Sequence, residues 1–391
     1  MPKDDGPIVI AGAGPAGSTL AIRLRRLGFL VVLIERYKFP RAKLCGEFIS
    51  PECLAHLNEL GVLDEMLATG GDRIFETRFY EAHGRSITVP SGWFHSDEGF
   101  ALSLSRARMD EILLNAARQN GADVQEETSV TGLINGEIGT VIGVKTRNAY
   151  GMTEEIRASI VVDATGRARV LSRLAEKALD QKAPKPQFIG AKAHLTGATV
   201  AKGVCEIYGF RGGYAGLSNI ENGEANLCLI ARSSLMKNRN AEAIFEALKS
   251  DNVRAAETLK DANLTHDWIA VSVPTIGLNL PPETRGLFTV GDSAAFVDPF
   301  TGSGMLMAIQ SSKMLAGLIG TIGLINVALA DHYYSGFNKQ FAPRLNAASL
   351  VRRVAYEPRL ASLAVRVLSL SKKLPALLAR KTHSSEGQFS R

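Results

Sequence analysis

The sequence predicts an α/β fold that combines a Rossmann-like unit with a β-rich (α+β) insert and a helical C-terminal segment. The Rossmann-like unit is indicated by a short apolar run, IVIA at 8–11, followed by GAGPAG and an amphipathic helical pattern. The insert is indicated by two stretches, 72–101 and 185–278, in which apolar and polar residues alternate. The C-terminal segment from residue 321 onwards shows helical periodicity and many basic residues.

Chain length, charge and cysteine content limit the kinds of protein and of binding partner that fit this sequence. The chain has 391 residues and a net charge of +6, which suits two or three domains or one large α/β unit with insertions. Its basic residues are scattered rather than clustered among aromatic residues, so we do not expect a nucleic-acid partner. None of the four cysteines forms a CxxC pair, which indicates neither a zinc site nor a dithiol motif. With no signal peptide before the first strand, we expect a cytoplasmic protein with free thiols.

The first strand, glycine-rich turn and helix form a βαβ unit that ends with the strand FLVVLIE. Its glycines have separate tasks. Gly12 permits a tight turn, Gly14 lets a pyrophosphate approach the backbone, and Gly17 lets the helix pack closely on the strand. Because Pro15 and Ala16 open the helix, free N–H groups and the positive end of the helix dipole are available to the phosphates.

Glu35 ends the second strand of this unit. A carboxylate at this position accepts hydrogen bonds from ribose hydroxyls and disfavours a 2′-phosphate, so the unit suits FAD or NAD rather than NADP. The sequence contains no second GxGxxG strand unit, and a separate nicotinamide domain is therefore not expected. NAD(P)H would act as a transient electron donor, or electrons would arrive from a donor protein.

Four segments together resemble the FAD-dependent oxidoreductases of the para-hydroxybenzoate hydroxylase fold, and are most similar to the geranylgeranyl reductase family. They are GAGPAG with Glu35, FPRAKLCGEFISP (39–51), LSRARMDEILLNAARQNGADV (104–124) and GDSAAFVDPFTGSG (291–304). The last departs from the family pattern at Ala295, where glycine is usual, and at Ser303, where glutamate is usual. The resemblance implies non-covalently bound FAD.

The resemblance also implies a division of the chain. FAD-binding parts would be 1–71, 102–184 and 279–320. The substrate-domain sheet would be built from 72–101 and 185–278. A C-terminal helical region and tail would occupy 321–391.

The segment around 291–305 would hold the flavin itself. By the resemblance, Asp292 would bind the ribityl hydroxyls of FAD. A helix from about Met305 would direct its N-terminus at the flavin, where its dipole stabilises the anion formed on reduction by about 1 kcal/mol. The turn along the isoalloxazine ring would consist of Pro299, Gly302, Ser303 and Gly304.

Other parts of FAD are assigned to residues elsewhere in the chain. The family places an arginine at Arg106 against the FAD phosphates; the alternative is an ordinary surface arginine on an amphipathic helix. The backbone around Val130, on a strand predicted over 124–133, would hold the adenine. Arg36 and Lys43 would also contact the cofactor.

Cys45, Gly46 and Glu47 lie where reductases of the geranylgeranyl type carry a Cys-Gly pair near the flavin ring. The Cys45 thiol would tune the flavin or help protonate a reduced double bond; alternatively it is a small packed hydrophobe. Glu47 would be a general acid if it is desolvated. Flavin halogenases carry a Gly-Glu pair nearby, but also a Gly-Trp-x-Trp-x-Ile-Pro motif with a lysine. The corresponding stretch SGWFHSDEGF (91–100) is different, so the sequence does not favour a halogenase.

Three functions remain open at this point. In the favoured one, reduced flavin transfers a hydride to a C=C bond of a hydrophobic, isoprenoid or polyketide-like substrate. In the second, an NAD(P)H-using monooxygenase lets reduced flavin react with oxygen at its C4a atom before hydroxylating or epoxidising the substrate. This chain has Asp163-Ala164-Thr165-Gly166 where hydroxylases carry an Asp-Gly pair, which weakens the second function. The third is a non-catalytic flavoprotein electron carrier.

Two further expectations concern surfaces. Tyr208, Phe210 and Tyr214 are candidates to line the substrate pocket, or are ordinary sheet packing. The segment 357–381 interleaves leucines with Arg and Lys, as an interfacial helix in peripheral contact with a membrane would; the alternative is a helix docked on the body of the protein. No uninterrupted apolar stretch has transmembrane length.

Overall fold

The computed structural model describes residues 6–94, 98–178, 187–236, 240–273, 276–279, 284–324 and 328–369. The α-helices in these ranges are α1 Pro15–Arg26, α2 Pro51–Glu59, α3 Leu63–Ala68, α4 Arg106–Gln119, α5 Val170–Ala178, α6 Ala241–Asp251, α7 Val253–Thr258, α8 Gly304–Ile322, α9 Ala328–Ala355 and α10 Pro358–Ser369. The strands are β1 Ile8–Ala11, β2 Val31–Ile34, β3 Phe48–Ile49, β4 Asp72–Ile74, β5 Glu76–Tyr80, β6 Ser86–Pro90, β7 Ala101–Ser103, β8 Asp123–Gln125, β9 Thr128–Asn135, β10 Val141–Asn148, β11 Thr153–Arg157, β12 Ile160–Asp163, β13 Phe188–Thr196, β14 Val204–Phe210, β15 Gly213–Asn219, β16 Ala225–Arg232, β17 Asn263–Leu264, β18 Ile269–Val273, β19 Gly277–Leu278, β20 Leu287–Thr289 and β21 Ala295–Phe296.

A five-stranded parallel sheet organises the nucleotide-binding half, in the order β20-β12-β1-β2-β8. Its strands read IVIA, VVLI and IVVD, continuous runs of the kind that are buried on both faces. One core joins residues of α1, α4 and α8 to the sheet, and a second joins residues of α5 and β9–β11 to it. The predicted Rossmann-like α/β fold is confirmed. The loops after β1, β12 and β20 leave the same edge of this sheet, where the site is built.

A larger sheet has the order β17-β13-β16-β15-β14-β5-β6, with β18 also paired to β13. Its pairs are antiparallel except β5 with β14. One face packs with α6 and α7, and the other faces the chain at 44–48 and 296–302. The two helices at 241–258 interrupt a segment for which the sequence indicated only strands, because the outer face of the sheet needs an apolar cover.

The predicted strand over 124–133 is wrong as a single element. A turn at residues 126–127 divides it, and Glu127 takes a left-handed backbone conformation with φ 53°. The two halves join different sheets: β8 extends the parallel sheet beside β2, whereas β9 pairs with β10 in a three-stranded antiparallel sheet.

The C-terminal helices begin close to the predicted place. Helix α8 starts at Gly304, one residue before the predicted Met305. By length and composition it is apolar enough to cross a membrane, with mean hydropathy 1.3, and 61% of that stretch is buried inside the protein. Of the predicted helix at 357–381, the structure describes α10; the rest of that segment and the tail lie outside the described residues.

Candidate functional site

The glycine-rich loop after β1 has the close approaches that the sequence predicted. At Gly12, with φ +102°, an added Cβ atom would lie 2.4 Å from the Ala164 carbonyl oxygen, and at Gly17 it would lie 1.9 Å from the Gly12 carbonyl oxygen. Gly14 is different, because an added Cβ would make only ordinary contacts, 3.7 Å from Arg106 Nη2 and 3.9 Å from Lys43 Nζ. The open side of the loop therefore faces two cations, which fits the pyrophosphate of a dinucleotide.

Glu35 braces this loop from the end of β2. Its buried carboxylate accepts the backbone N–H of Ala13 at 3.0 Å and of Tyr37 at 3.2 Å, and Arg41 Nη2 lies 3.4 Å from it. The neighbouring Arg36 is exposed, with its guanidinium 4.5 Å from the centre of the Tyr37 ring. Glu35 thus stands where a ribose would meet the glycine loop, whereas Arg36 lies at the surface.

The predicted adenine segment lies beside Glu35. The N–H of Thr128, the first residue of β9, donates to the Glu35 carbonyl oxygen at 2.9 Å. Val130, two residues further along, packs on the core between the parallel sheet and β9–β11. Its contact with adenine stays a prediction.

Arg106 is buried at the first turn of α4. It makes a two-pronged ion pair with Asp110, at 2.8 and 2.7 Å, and Asp110 also lies 3.8 Å from Arg41. Burial works against the charge of the guanidinium, but the Asp110 carboxylate and the Cys45 sulfur outweigh it and raise the pKa of Arg106. Asp110 therefore holds a permanent cation beside Gly14.

Lys43 extends toward the same place from the loop after β2. Burial, and then the charges of Arg106 and Arg41, lower the pKa of Lys43 to about 8. An added Cβ at Gly166 would lie 3.4 Å from Lys43 Nζ and 4.0 Å from Asp292 Cβ. Lys43 therefore links the glycine loop to the loop that carries Asp292.

The Gly-Asp segment after β20 closes over the start of α1. At Gly291, with φ +60°, an added Cβ would lie 2.9 Å from Ala16 Cβ. Burial raises the pKa of Asp292, while the charges of Arg167, Lys43 and Arg106 act in the opposite direction. Three regions distant in sequence thus meet around Asp292.

The turn from Pro299 to Gly304 is held in a defined shape. The Asp298 carboxylate accepts the Phe300 N–H and the Tyr214 hydroxyl, both at 3.0 Å, so Asp298 caps the turn. Gly302 has φ +67°, and its added Cβ would lie 3.1 Å from the Phe48 ring. Ser303 and Thr301 hydroxyls are 2.8 Å apart, and α8 follows directly through Gly304 and the buried Met305. This geometry leaves the N-terminus of a long helix at the loop, and its contact with a flavin stays a prediction.

Cys45 and Gly46 lie between the two sheets. The Cys45 sulfur is 3.4 Å from the Glu47 backbone nitrogen, and Cys45 packs on the edge of the main core. Gly46 lines the cavity described below. The contact of Cys45 with a flavin ring stays a prediction.

Glu47 is fully buried and has φ 54°, in the left-handed region. Its carboxylate accepts the Arg106 N–H at 2.7 Å, contacts His194 Nε2 at 2.7 Å, and forms an ion pair with Lys192. Burial raises the pKa of Glu47, but the hydrogen bond from His194 and the charge of Lys192 outweigh it, and the pKa is lowered. Glu47 is therefore ionised, which argues against the predicted general acid and for an ionic connection between the loop, α4 and β13.

Sequence reasoning missed four residues of this arrangement: Arg41, Asp110, Lys192 and His194. Two signals were present. Asp110 lies one helical turn after Arg106, the spacing of an intrahelical ion pair. Lys192 and His194 alternate with buried alanines on β13, an unusual polar pattern for a buried face.

An apolar cavity lies between the larger sheet and the turn at 299–302. Its empty volume is about 910 Å³, which includes open solvent at its mouth. Tyr214 lines it, whereas Tyr208 and Phe210 lie in the core on the other face of the sheet. Its walls include Leu44, Phe48, Thr77, Phe79, Val89, Ile207, Ile230, Phe296 and Phe300.

Comparison with known proteins agrees with this geometry. The family described as FAD binding domain matches residues 5–322. A tryptophan 2-halogenase from Chondromyces crocatus is 26% identical over 355 residues, covering 84% of this chain and 64% of the halogenase, so the chain spans less than two thirds of that relative. A digeranylgeranylglycerophospholipid reductase from Methanosarcina mazei is 29% identical over 322 residues, covering 80% of this chain and 74% of the reductase.

The fold also recurs in solved structures. The structure of a flavin-dependent brominase superposes with a TM-score of 0.79 at 21% identity and covers 97% of this chain and 96% of its own. The match to the family covers most of the chain, including the glycine loop, Arg106 and the Gly-Asp segment. The chain therefore belongs to the FAD binding domain family, and it is an FAD-dependent oxidoreductase.

Proposed function

We propose that this protein is a reductase that saturates a C=C bond of a hydrophobic substrate, isoprenoid or polyketide-like, held in the apolar cavity. The observation that carries the proposal is the position of that cavity, walled on one side by the larger sheet and on the other by the turn at 299–302. Bound FAD, once reduced, would supply the hydride, and the Cys45 thiol, reprotonated from solvent, would supply the proton that completes the second C–H bond. The similarity to a protein named digeranylgeranylglycerophospholipid reductase supports this reaction class.

The residues of this chain supply position and charge. Lys43 and Arg106, with the N-terminus of α1, would hold the diphosphate beside Gly14. Asp292 would accept hydrogen bonds from the ribityl chain. The Cys45–Gly46 loop and the turn at 299–304 would lie on either side of the ring system. The apolar walls exclude water, which favours a substrate whose reacting part is hydrocarbon.

The titration of Lys43 gives a test of the cofactor site. With a pKa of about 8, Lys43 is charged below that pH and loses its charge as the pH rises through it. The affinity of the apoprotein for FAD should fall by up to about tenfold between about pH 7 and pH 9, because the fraction of Lys43 that is charged and can donate to the diphosphate falls by that factor. Lys43→Arg should remove this pH dependence, and Lys43→Met should bind weakly at both pH values.

Calorimetric titration of the apoprotein with FAD measures the effect. Lys38→Met, at an exposed lysine on the same loop, is the matched control and should behave as wild type. An unchanged pH profile in Lys43→Met would contradict the assignment.

Halogenation is a second candidate, because a tryptophan 2-halogenase is among the relatives. The halogenase motif is accompanied by a lysine, yet among the described residues that line the cavity there is no lysine. The reductase proposal is therefore preferred. The electron donor that we propose is NAD(P)H bound transiently, since the sequence has one glycine loop of the dinucleotide type.

Product analysis separates the candidate reactions. The FAD-loaded protein is incubated with NAD(P)H and a panel of apolar alkenes in three conditions: without oxygen, with oxygen, and with oxygen plus bromide or chloride. We expect mass spectrometry to show products heavier by two hydrogens in the oxygen-free sample. Products that gain oxygen or halogen, formed only when oxygen is present, would replace the reductase proposal with a monooxygenase or a halogenase.

A further inference from the structure

The cavity that we assign to the substrate contains one charged group. Among the described residues that line it, Arg167 is the only one of the types Arg, Lys, His, Asp and Glu. Most of the others are aliphatic, aromatic or glycine. Arg167 lies in the short turn Gly166–Ala168 that follows β12. Its guanidinium lies 5.6 Å from the centre of the Phe296 ring, which is itself part of the cavity wall.

Hydrogen bonds to Asp163 and from Ser293 hold the turn that carries Arg167. The buried Asp163 carboxylate accepts the N–H of Thr165 at 3.0 Å and of Ser172 at 2.9 Å. The Ser293 hydroxyl lies 3.1 Å from both Asp163 Oδ1 and the Gly166 carbonyl oxygen. The backbone of Arg167 is thus held between the loops after β12 and β20, so ligand binding has only the side chain left to order.

Within the described part of the chain, the Arg167 guanidinium makes no hydrogen bond and no ion pair within 4.0 Å. Asp292 interacts with it electrostatically, but the two do not reach that distance. Arg169, two residues further along, differs from Arg167 because it forms an ion pair with Glu176. A cation against apolar walls is costly unless an anion joins it.

We propose that the substrate carries one anionic group, a carboxylate or a phosphate, on an apolar body, and that Arg167 binds this group inside the cavity. The planar guanidinium presents two parallel N–H donors, which match the oxygens of either anion. The stacking on Phe296 leaves the edge of the guanidinium available for such a ligand. The inference rests on the proposed function, because it takes the cavity as the substrate site.

Ligand binding to the FAD-loaded protein tests the proposal without turnover. Dodecanoate, dodecyl phosphate and dodecanol are titrated by calorimetry, below the concentrations at which they form micelles. We expect wild type to bind at least one of the two anions about tenfold or more tightly than dodecanol, the gain from a charge-assisted pair. Comparison of the two anions identifies whether a carboxylate or a phosphate is preferred.

Three variants complete the design. Arg167→Gln should lose the preference for the anion, and Arg167→Glu should reverse it in favour of dodecanol. Arg78→Gln is the matched control, because Arg78 lies on β5 between the cavity-lining residues Thr77 and Phe79 and is absent from the cavity wall; it should keep the preference.

Two results would overturn the proposal. One is equal binding of the three ligands by wild type. The other is an unchanged preference in Arg167→Gln; a shifted flavin reduction potential in the same variant would then assign Arg167 to the cofactor. An Arg167-dependent preference without any alkene reduction would refute the proposed reaction and leave this inference standing.

Discussion

Gly17→Ala is expected to purify with little or no FAD. An added Cβ would lie 1.9 Å from the Gly12 carbonyl oxygen and 3.2 Å from Ala164 Cβ, so the glycine loop or the start of α1 must move. Overpacking of this kind costs about 1–3 kcal/mol of stability. Loss of even one charged hydrogen bond to the diphosphate weakens binding roughly tenfold to a hundredfold. FAD content from the absorbance of the purified protein, and the affinity of the apoprotein for FAD, measure the effect.

Gly317→Ala is the matched control for this change. Gly317 also lies within a helix, but it is exposed and an added Cβ would meet no atom within 4 Å. We expect normal FAD content and stability that is unchanged or higher by up to about 1 kcal/mol, because alanine is the better helix former. Retention of FAD by Gly17→Ala at the level of this control would contradict the role assigned to the loop.

Lys192→Met is expected to lower the free energy of unfolding by about 3–5 kcal/mol, the cost of removing one partner from a buried ion pair. Lys192 is 2% exposed and Glu47 is fully buried. Without Lys192, the Glu47 carboxylate would keep only His194 and the Arg106 N–H as close polar partners among the described residues. Urea unfolding of the apoprotein measures the loss.

The double variant Glu47→Gln/Lys192→Met distinguishes charge from packing. It removes the uncompensated carboxylate, so we expect it to be more stable than Lys192→Met alone. Lys145→Met, which breaks an exposed ion pair with Glu155, should unfold close to wild type. A loss of stability in Lys192→Met no larger than in Lys145→Met would show that the buried connection between loop and sheet does not stabilise the fold.

Local sequence patterns predicted the nucleotide-binding half well. The strand, glycine turn and helix at 8–26 are consecutive in sequence, and so are the turn and helix start at 299–305, so their geometry follows from local preferences. The division of the strand predicted at 124–133 had no such signal. The turn there places Glu127 in a backbone conformation usually taken by glycine or asparagine. The turn exists because the residues before it pair with one sheet and those after it pair with another.

The connection around Glu47 shows the opposite case. Its partners Lys192 and His194 lie about 145 residues away, and no local pattern pairs them with Glu47. The sequence could suggest that Glu47 is desolvated, which would raise its pKa and favour a general acid. It could not show that Lys192 and His194 lie beside the carboxylate and keep it ionised. The strand register likewise determines which of the candidate tyrosines lines the cavity. Tyr214 faces the cavity, while Tyr208 faces the core on the other side of the sheet.

The central claim is that reduced flavin passes its electrons directly to an alkene in the apolar cavity. The most direct test is a single turnover, in which anaerobically reduced protein is mixed rapidly with long-chain alkenes, with and without a terminal carboxylate or phosphate, while the flavin absorbance is followed. We predict return of oxidised flavin with one saturated product per flavin. Thr77→Trp, which fills the cavity from the sheet side, should slow this return while keeping FAD. Flavin that stays reduced with every alkene, and reoxidises only when oxygen is admitted, would contradict the reductase account.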